Sequence, residues 1–268
     1  MANGRITGLY TYPVKSCAGV SLEESQCNEL GLIYDREWVV VDSSGKVLTQ
    51  RDNPRMALIE PKVDRHGALT LRAANHAALT VAPHLNTYVE IELWGDDCSG
   101  FDQGSDVAGW LTQFLEVECR LLLHDKGRAR KSRFGSGLGR ESRVAFADCC
   151  PLLIMSEESV SDLNNWLTEP VTMDRFRPSV VISGMGKYAE DQIKTFYVNG
   201  TKLQSIKPCA RCVIVTIDQK EGISKGPEPL QTLNKFRRQN GKVLFGQYFM
   251  AEQPGLLRVG DMVLSEEN

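Results

Sequence analysis

The sequence predicts a mainly β protein with some helices, an α+β chain, and three observations carry that expectation. Short runs rich in β-branched and aromatic residues recur through the first third, each bounded by turn residues. Their spacing is too tight for strands alternating with long helices, which favours a barrel or sandwich over βαβ units. Helical periodicity, in contrast, is confined to a few segments.

In chain order, Ile6–Thr11 and Arg36–Val41 read as strands, Asp42-Ser43-Ser44-Gly45 as a turn, and Lys46–Thr49 as a returning strand. Ala57–Val63, Ala68–Arg72 and Thr87–Leu93 continue the pattern. In the last of these, Glu90 and Glu92 alternate with Val89, Ile91 and Leu93, as on a half-solvated sheet. Ser105 or Asp106 caps a helix bearing Val107, Trp110, Leu111 and Phe114, and Cys119–Leu123 follows as a strand. Lys126–Arg143 breaks the composition: Lys126, Arg128, Arg130, Lys131, Arg133, Arg140 and Arg143 face one acid, Glu141, with four glycines and no apolar period. It reads as a long exposed loop joining two halves, either a solvated linker or a basic lip that steers an anionic substrate or a redox partner. In the second half, Pro151–Met155 reads as a buried strand, and Ser156 caps a helix bearing Val160, Leu163 and Leu167. Val180–Ser183, Lys202–Ile206 and Val213–Ile217 read as strands. Pro229 starts a helix with Leu230, Leu233 and Phe236, and Val243–Met250 with Leu256–Leu264 form a hairpin-like pair.

The chain has 268 residues, 42% apolar and 24% charged, which is one large domain or two of ordinary size with enough apolar material for a core. A formal charge of −3 gives no global pull toward nucleic acid or anionic lipid. No apolar run approaches the roughly 20 residues of a membrane span, and no apolar signal core opens the chain. The expectation is a cytoplasmic protein with no membrane or structural nucleic-acid partner. Most of the eight cysteines (Cys17, Cys27, Cys98, Cys119, Cys149, Cys150, Cys209, Cys212) then act as small buried apolar residues, and a minority do chemistry.

Lys207-Pro208-Cys209-Ala210-Arg211-Cys212 is the sharpest local feature. It allows half a zinc site, a redox dithiol, or one thiolate donating to a soft metal. No second C-x-x-C accompanies it for zinc. The β-branched run after it is not the helix a redox dithiol usually opens. Arg211 next door favours a thiolate. Three further clusters fall where strands meet loops: Tyr12-Pro13-Val14-Lys15-Ser16, Asp35-Arg36-Glu37-Trp38 and Arg175-Phe176-Arg177-Pro178-Ser179. Each is either a surface ion pair or part of a phosphate grip, since a lysine offers a point charge and an arginine a planar fork. Asp148-Cys149-Cys150-Pro151 offers a carboxylate entering a buried strand, either a proton relay or a turn residue bonding its own backbone. No G-x-x-x-x-G-K-[ST], no G-x-G-x-x-G after a strand and no G-x-S-x-G occurs, so nucleotide-dependent and serine-hydrolase chemistry lack support.

Taken as an ordered set, Tyr12-Pro13-Val14-Lys15-Ser16, Phe176-Arg177-Pro178, Tyr188-Ala189-Glu190-Asp191, Pro208-Cys209-x-Arg211-Cys212 and Phe245-Gly246-Gln247-Tyr248-Phe249 resemble the MOSC-domain family, in the branch of the mitochondrial amidoxime-reducing component and its bacterial relatives. The resemblance runs from about Ile6 to about Val263. It implies an N-terminal MOSC-associated β-rich domain over 1–124. A MOSC β-barrel domain of the pyruvate-kinase-barrel type follows over 125–268, including the connecting loop 126–143. It also implies a molybdenum cofactor (Mo-molybdopterin) at their junction, with Cys212 as the metal ligand. Lys15, Ser16 and Arg36 match the residues that hold the pterin phosphate, and Arg177 matches a further cofactor contact. Ser179, Cys149 and Arg211 fall in the same cofactor set, and Asp148 matches the carboxylate beside the metal. Ser179 stands where relatives commonly carry Asn, and Cys149 and Cys150 where the mitochondrial members carry Thr and Ser. The implied activity is a molybdenum-dependent oxidoreductase that removes oxygen from N-hydroxylated compounds such as amidoximes. Electrons would come from a separate flavoprotein reductase, ferredoxin or b-type cytochrome. The alternative is a cofactor carrier or sulfuration module without its own reductase activity, since MOSC domains also end cofactor sulfurases.

Overall fold

In the computed structural model, which describes residues 3–131 and 142–266, seven strands close into a barrel. They are β1 (Asn3–Thr11), β2 (Leu152–Ser156), β3 (Val180–Ser183), β4 (Thr195–Val198), β5 (Thr201–Ala210), β6 (Lys242–Ala251) and β7 (Met262–Ser265). Four α-helices accompany the strands among the described residues: α1 (Ser105–Leu115), α2 (Glu157–Asn164), α3 (Ala189–Gln192) and α4 (Leu230–Phe236).

The circuit runs β2-β3-β1-β7-β4-β5-β6 and returns to β2. A ring with an odd number of strands cannot be antiparallel throughout, and here the odd step is the parallel β2–β3 pair. Parallel neighbours need a long crossover. The chain between Ser156 and Val180 supplies it, starting with α2. Ser156 caps that helix as the sequence predicts, its Oγ accepting from the Ser159 amide at 3.1 Å. The crossover ends by delivering Arg175, Phe176 and Arg177 to the start of β3. Tyr188-Ala189-Glu190-Asp191 braces this scaffold: the buried Glu190 carboxylate accepts from Ser159 Oγ at 2.9 Å, Asp191 pairs with Arg237, and Arg237 lies 4.5 Å from the Tyr188 ring.

Alternate residues of the strands face opposite ways. Leu152, Ile154, Val180, Ile182, Phe196 and Phe249 fill the barrel interior. Leu153 and Met155 face outward and pack with Val160, Phe176, Leu233 and Phe245 beneath α2 and α4.

The N-terminal half adds a four-stranded sheet in the order Trp38–Asp42, Cys119–His124, Asp96–Asp102, Tyr88–Leu93, and a three-stranded sheet of Glu60–Val63, Leu69–Ala73 and His76–Val81. Helix α1 joins their core through Val107, Leu111 and Phe114, against Trp38, Val40, Leu69 and Leu71. The division at 124 is crossed by pairing. β1 belongs to the barrel, and Glu24–Asn28 pairs with Gly255–Arg258, so the first strands are physically part of the C-terminal body.

Several expected elements differ. Val213–Ile217 is not a strand: Val213–Thr216 is a 3-10 turn, because the Arg211 amide bonds Val243 O at 2.8 Å and the Thr216 hydroxyl closes back on Val213 O at 2.8 Å. Strand β5 instead runs on through Lys207-Pro208-Cys209-Ala210, with bulges at Ser205/Lys207 and Pro208/Ala210 that tolerate the proline. The final pair is no hairpin, since Gly255–Arg258 pairs with Glu24–Asn28 and β7 pairs with β1 and β4. Lys46 and Val47 form isolated bridges rather than a strand, Pro54–Leu58 is a 3-10 turn, and Leu167 lies beyond α2. The helix at 105 is preceded by Gly104, and neither Ser105 nor Asp106 caps it.

The basic stretch is not one exposed loop. Arg130–Lys131 pairs with Arg143–Val144, and Arg130 is buried against Asp96 at 2.6 Å and Ala147 O at 2.6 Å. Lys126 pairs with Glu37 at 3.2 Å, and Arg128 bonds Tyr88 Oη at 2.6 Å. Arg133, Arg140 and Glu141 lie outside the described residues.

Candidate functional site

A cleft of about 820 Å³, counting its open mouth, lies between the outer wall of the barrel and the N-terminal half. Leu153, Cys209 and Tyr248 line it from the barrel side. Lys15 and Ser16 reach it from the loop after β1, Arg36 from the approach to Trp38–Asp42, and Asp148 to Cys150 from the lead into β2. Arg175 to Arg177 come from the crossover, and Ala210 to Cys212 from the end of β5. Residues far apart in sequence meet here because β1 and β3 pair, with Leu9 opposite Val180, so the end of one strand and the start of the other share an edge.

The lining is strongly cationic: Lys15, Arg36, Arg51, Arg175, Arg177 and Arg211 against one carboxylate, Asp148. Tyr12 organises two of these charges. The guanidinium carbons of Arg36 and Arg177 lie 4.4 and 4.2 Å from the centre of its ring, and its hydroxyl donates to Pro178 O at 3.1 Å. Burial pushes the Tyr12 phenol up, so the ring stays neutral. Arg36 is paired with Asp35, which also accepts from the Tyr12 amide at 2.9 Å. Arg177 is less well served: its bond to Gln219 Oε1 is 3.5 Å, at the limit of hydrogen bonding. Burial, and then the nearby Arg36 charge, pull its pKa down, although Tyr12 opposes them. Two guanidiniums held on one ring, one of them weakly partnered, concentrate positive charge on this side of the cleft. Ser16, Arg36 and Arg177 all take left-handed backbone, with φ of 69°, 51° and 54°, which non-glycine residues hold only when the surroundings enforce it.

Lys15 is buried and donates to Phe146 O at 2.9 Å and to Asp148. Burial lowers its pKa, and Asp148 opposes that. The Asp148 side chain is 48% exposed. Desolvation within the cleft works against its charge, but Lys15, then Arg51 and Arg36, hold the carboxyl well below the usual carboxylate range. Trp94 Nε1 also donates to it at 3.3 Å. Cys212 is half-buried, and its Sγ accepts from Arg51 Nη2 at 3.3 Å. Cys149 lines the cleft, and a hydrogen bond with Cys150 lowers its thiol pKa. Cys209 is buried, and burial raises its thiol pKa.

Of the residues singled out in the sequence, Lys15, Ser16, Arg36, Asp148, Cys149, Arg177, Arg211 and Cys212 all line this cleft, and Ser179 does not. Ser179 is fully buried, and its hydroxyl accepts from the Leu153 amide at 3.3 Å while its own amide bonds Leu153 O. It ties β2 to the start of β3. Arg211 lines the cleft through its backbone bend, but its guanidinium is spent on Phe245 O at 2.7 Å and Phe176 O at 2.8 Å. The arginine that meets the Cys212 sulfur is Arg51, which the sequence did not single out. Nothing local distinguishes Thr49-Gln50-Arg51-Asp52 from a surface turn. Tyr12 was visible as part of a motif but not as a guanidinium platform. Trp94 carried one unused signal, a large aromatic followed by glycine at a hairpin tip.

The family model described as the MOSC N-terminal beta barrel domain matches residues 3–118, and the MOSC domain model matches residues 141–264. Mitochondrial amidoxime-reducing component 1 of Mus musculus is 38% identical over 97% of this chain and 82% of its own length, and that of Homo sapiens is 36% identical with the same coverage. Mitochondrial amidoxime reducing component 2 of Rattus norvegicus is 35% identical, again over 97% of this chain. The chain belongs to the MOSC-domain family, as a relative of the amidoxime-reducing components.

Proposed function

We propose that the cleft holds a molybdenum cofactor and that the protein reduces N-hydroxylated compounds. One observation carries the reading: a half-buried cysteine sulfur, Cys212, shares a single cleft with the cationic side chains of Lys15, Arg36 and Arg177, which would hold an anion. Thiolate suits a soft metal, and paired guanidiniums suit phosphate. Among the described residues no group of three or more His, Cys, Asp or Glu side chains is arranged to hold a metal ion. A pterin dithiolene would supply the remaining donors of a metal bound at Cys212. The names of the relatives and the MOSC match support the same reading.

When bound, the cofactor supplies two-electron reduction that takes oxygen from an N–O substrate. The chain's own residues do the rest. Cys212 would be the protein ligand. Lys15, Ser16, Arg36 and Arg177 would bind the phosphate and fix the pterin's position. Asp148, ionised and open to solvent on one side, would pass protons inward. Trp94 and Arg51 cover this end of the cleft. Electrons would come from a separate redox protein, a flavoprotein reductase, ferredoxin or b-type cytochrome. A cytoplasmic setting is part of the reading. No helix among the described residues is long and apolar enough to cross a membrane.

The test is turnover of benzamidoxime with reduced viologen, using protein made in a host that synthesises the cofactor. Wild type is expected to turn over, and Cys212→Ala to lose activity while its thermal transition is kept. Normal turnover by Cys212→Ala would refute the assignment. Cofactor binding without turnover in wild type would leave the carrier reading.

A further inference from the structure

Trp94 occupies an unexpected place. Tyr88–Leu93 and Asp96–Asp102 pair with Leu93 opposite Asp96, so Trp94-Gly95 is the whole turn. Both turn residues have positive φ, 60° and 77°. A two-residue turn of this kind asks for Asn, Asp or Gly at its first position, and a bulky aromatic there is backbone strain kept for a reason. The side chain supplies the reason. One end of the indole reaches Asp148, with Nε1 donating to Oδ1 at 3.3 Å. The Arg51 guanidinium carbon lies 4.9 Å from the ring centroid, and the Lys15 ammonium 5.8 Å. Arg51 in turn donates from Nη2 to Cys212 Sγ at 3.3 Å. Arg51, Trp94 and Lys15 come from the N-terminal half, and Cys212 and Asp148 from the C-terminal half.

We propose that Arg51 is a positioning residue for the Cys212 sulfur, that Trp94 is the platform that aims it, and that through this pair the N-terminal domain sets the donor strength of the metal ligand. The proposal rests on the cofactor reading above. An arginine N–H directed at a thiolate withdraws charge from the sulfur. Hydrogen bonds to ligand sulfurs shift the potential of a bound metal upward. Arg51 is exposed and has a long, flexible side chain, so without a fixed face beneath it the donor would sample many rotamers. The indole limits that freedom by stacking. Lysine would not replace it, because an ammonium lacks the planar fork that can lie on a ring and donate sideways at once.

The experiment uses full-length protein from a cofactor-competent host and compares wild type, Arg51→Ala, Arg51→Lys, Trp94→Ala and Trp94→Phe. It reads molybdenum content, thermal midpoint, and the midpoint potential of the metal from a redox titration followed by EPR. Arg51→Ala is expected to keep its molybdenum and its thermal midpoint while the metal potential moves to a more negative value. Trp94→Ala should move it in the same direction. Trp94→Phe, which keeps a ring face but loses the N–H, should retain the wild-type potential, and Arg51→Lys should fall between wild type and Arg51→Ala. An unchanged potential in Arg51→Ala would overturn the proposal. So would loss of molybdenum in that variant alone, which would make Arg51 a cofactor anchor. Absence of molybdenum from wild type itself would be a failure of the cofactor reading, seen in the control before any variant is compared, and the proposal would fall with it.

Discussion

Replacing Arg177 separates a ligand cradle from a structural strut, because the two roles predict opposite effects. In Arg177→Met the side chain still packs on Tyr12 but brings no charge. A desolvated cation–π contact is worth about 2 kcal/mol, and its loss destabilises the ligand-free protein. Against that, removing a partly buried, weakly partnered guanidinium from beside Arg36 relieves desolvation and like-charge repulsion of comparable size. The ligand-free variant is therefore expected within about 1 kcal/mol of wild type. Anion binding should suffer far more. One charge-assisted hydrogen bond contributes roughly 1.5–3 kcal/mol, so inorganic phosphate should bind roughly 10- to 150-fold more weakly. At a phosphate concentration near 100 times the wild-type Kd, ligand stabilisation is about 2.7 kcal/mol, and in the variant it should drop to about 0.3–1.4 kcal/mol. Calorimetric titration gives the affinities, and denaturant unfolding with and without phosphate gives the stabilities. A variant that loses about 3 kcal/mol without ligand yet binds phosphate as wild type does would show that Arg177 is a strut.

His124 should make the fold acid-sensitive. It is 4% exposed, packs edge-on to Phe146 at 5.5 Å, and neither ring nitrogen has a partner among the described residues. Burial lowers its pKa to about 4. Because the folded pKa lies below the unfolded value of about 6.5, the unfolded chain binds the proton first as pH falls, and stability is lost from about pH 6.5 down to about 4. The loss should reach about 2 kcal/mol at pH 5, and His124→Leu should abolish it. A wild-type unfolding free energy that stays flat from pH 7 to 5 would contradict this. Gly246→Ala is expected to cost about 2–5 kcal/mol. It places a side chain at φ +79°, with the added carbon 2.8 Å from Met155 Cγ and 3.1 Å from Arg211 Nη2, so strain and overpacking combine. It should also lower activity per folded molecule, since Arg211 holds the bend that presents Cys212. A change below 1 kcal/mol would show that the site relaxes freely.

The sequence was most informative where local chemistry and tertiary role agreed. Pro151–Met155 has no polar residue and became a barrel strand, and Ser156 both ends that strand and caps the next helix. It misled where long-range pairing decides. The β-branched Val213–Ile217 run prefers strand by propensity, but Arg211 anchors the chain to Val243 and Phe245, and the segment turns. The last strands looked like a hairpin because sequence neighbours usually pair, yet closing the barrel sends Met262–Ser265 to Asn3–Arg5. Most of the cleft was legible because its residues sit at strand ends as ordered motifs. Ser179 entered the cofactor set through the resemblance alone, at a position where relatives carry Asn, and its hydroxyl instead accepts from the Leu153 amide at the parallel β2–β3 edge. Arg51 and Trp94 were invisible because their significance lies in what faces them across the domain junction.

Everything said of the cleft turns on whether Cys212 ties a cofactor-borne metal to the chain. Elemental analysis of purified protein from a cofactor-competent host, wild type beside Cys212→Ala, asks this most directly. Stoichiometric molybdenum in wild type with a large loss in Cys212→Ala is the expected result. A wild-type chain that carries no molybdenum, when an established molybdenum enzyme made in the same host is loaded, would contradict it.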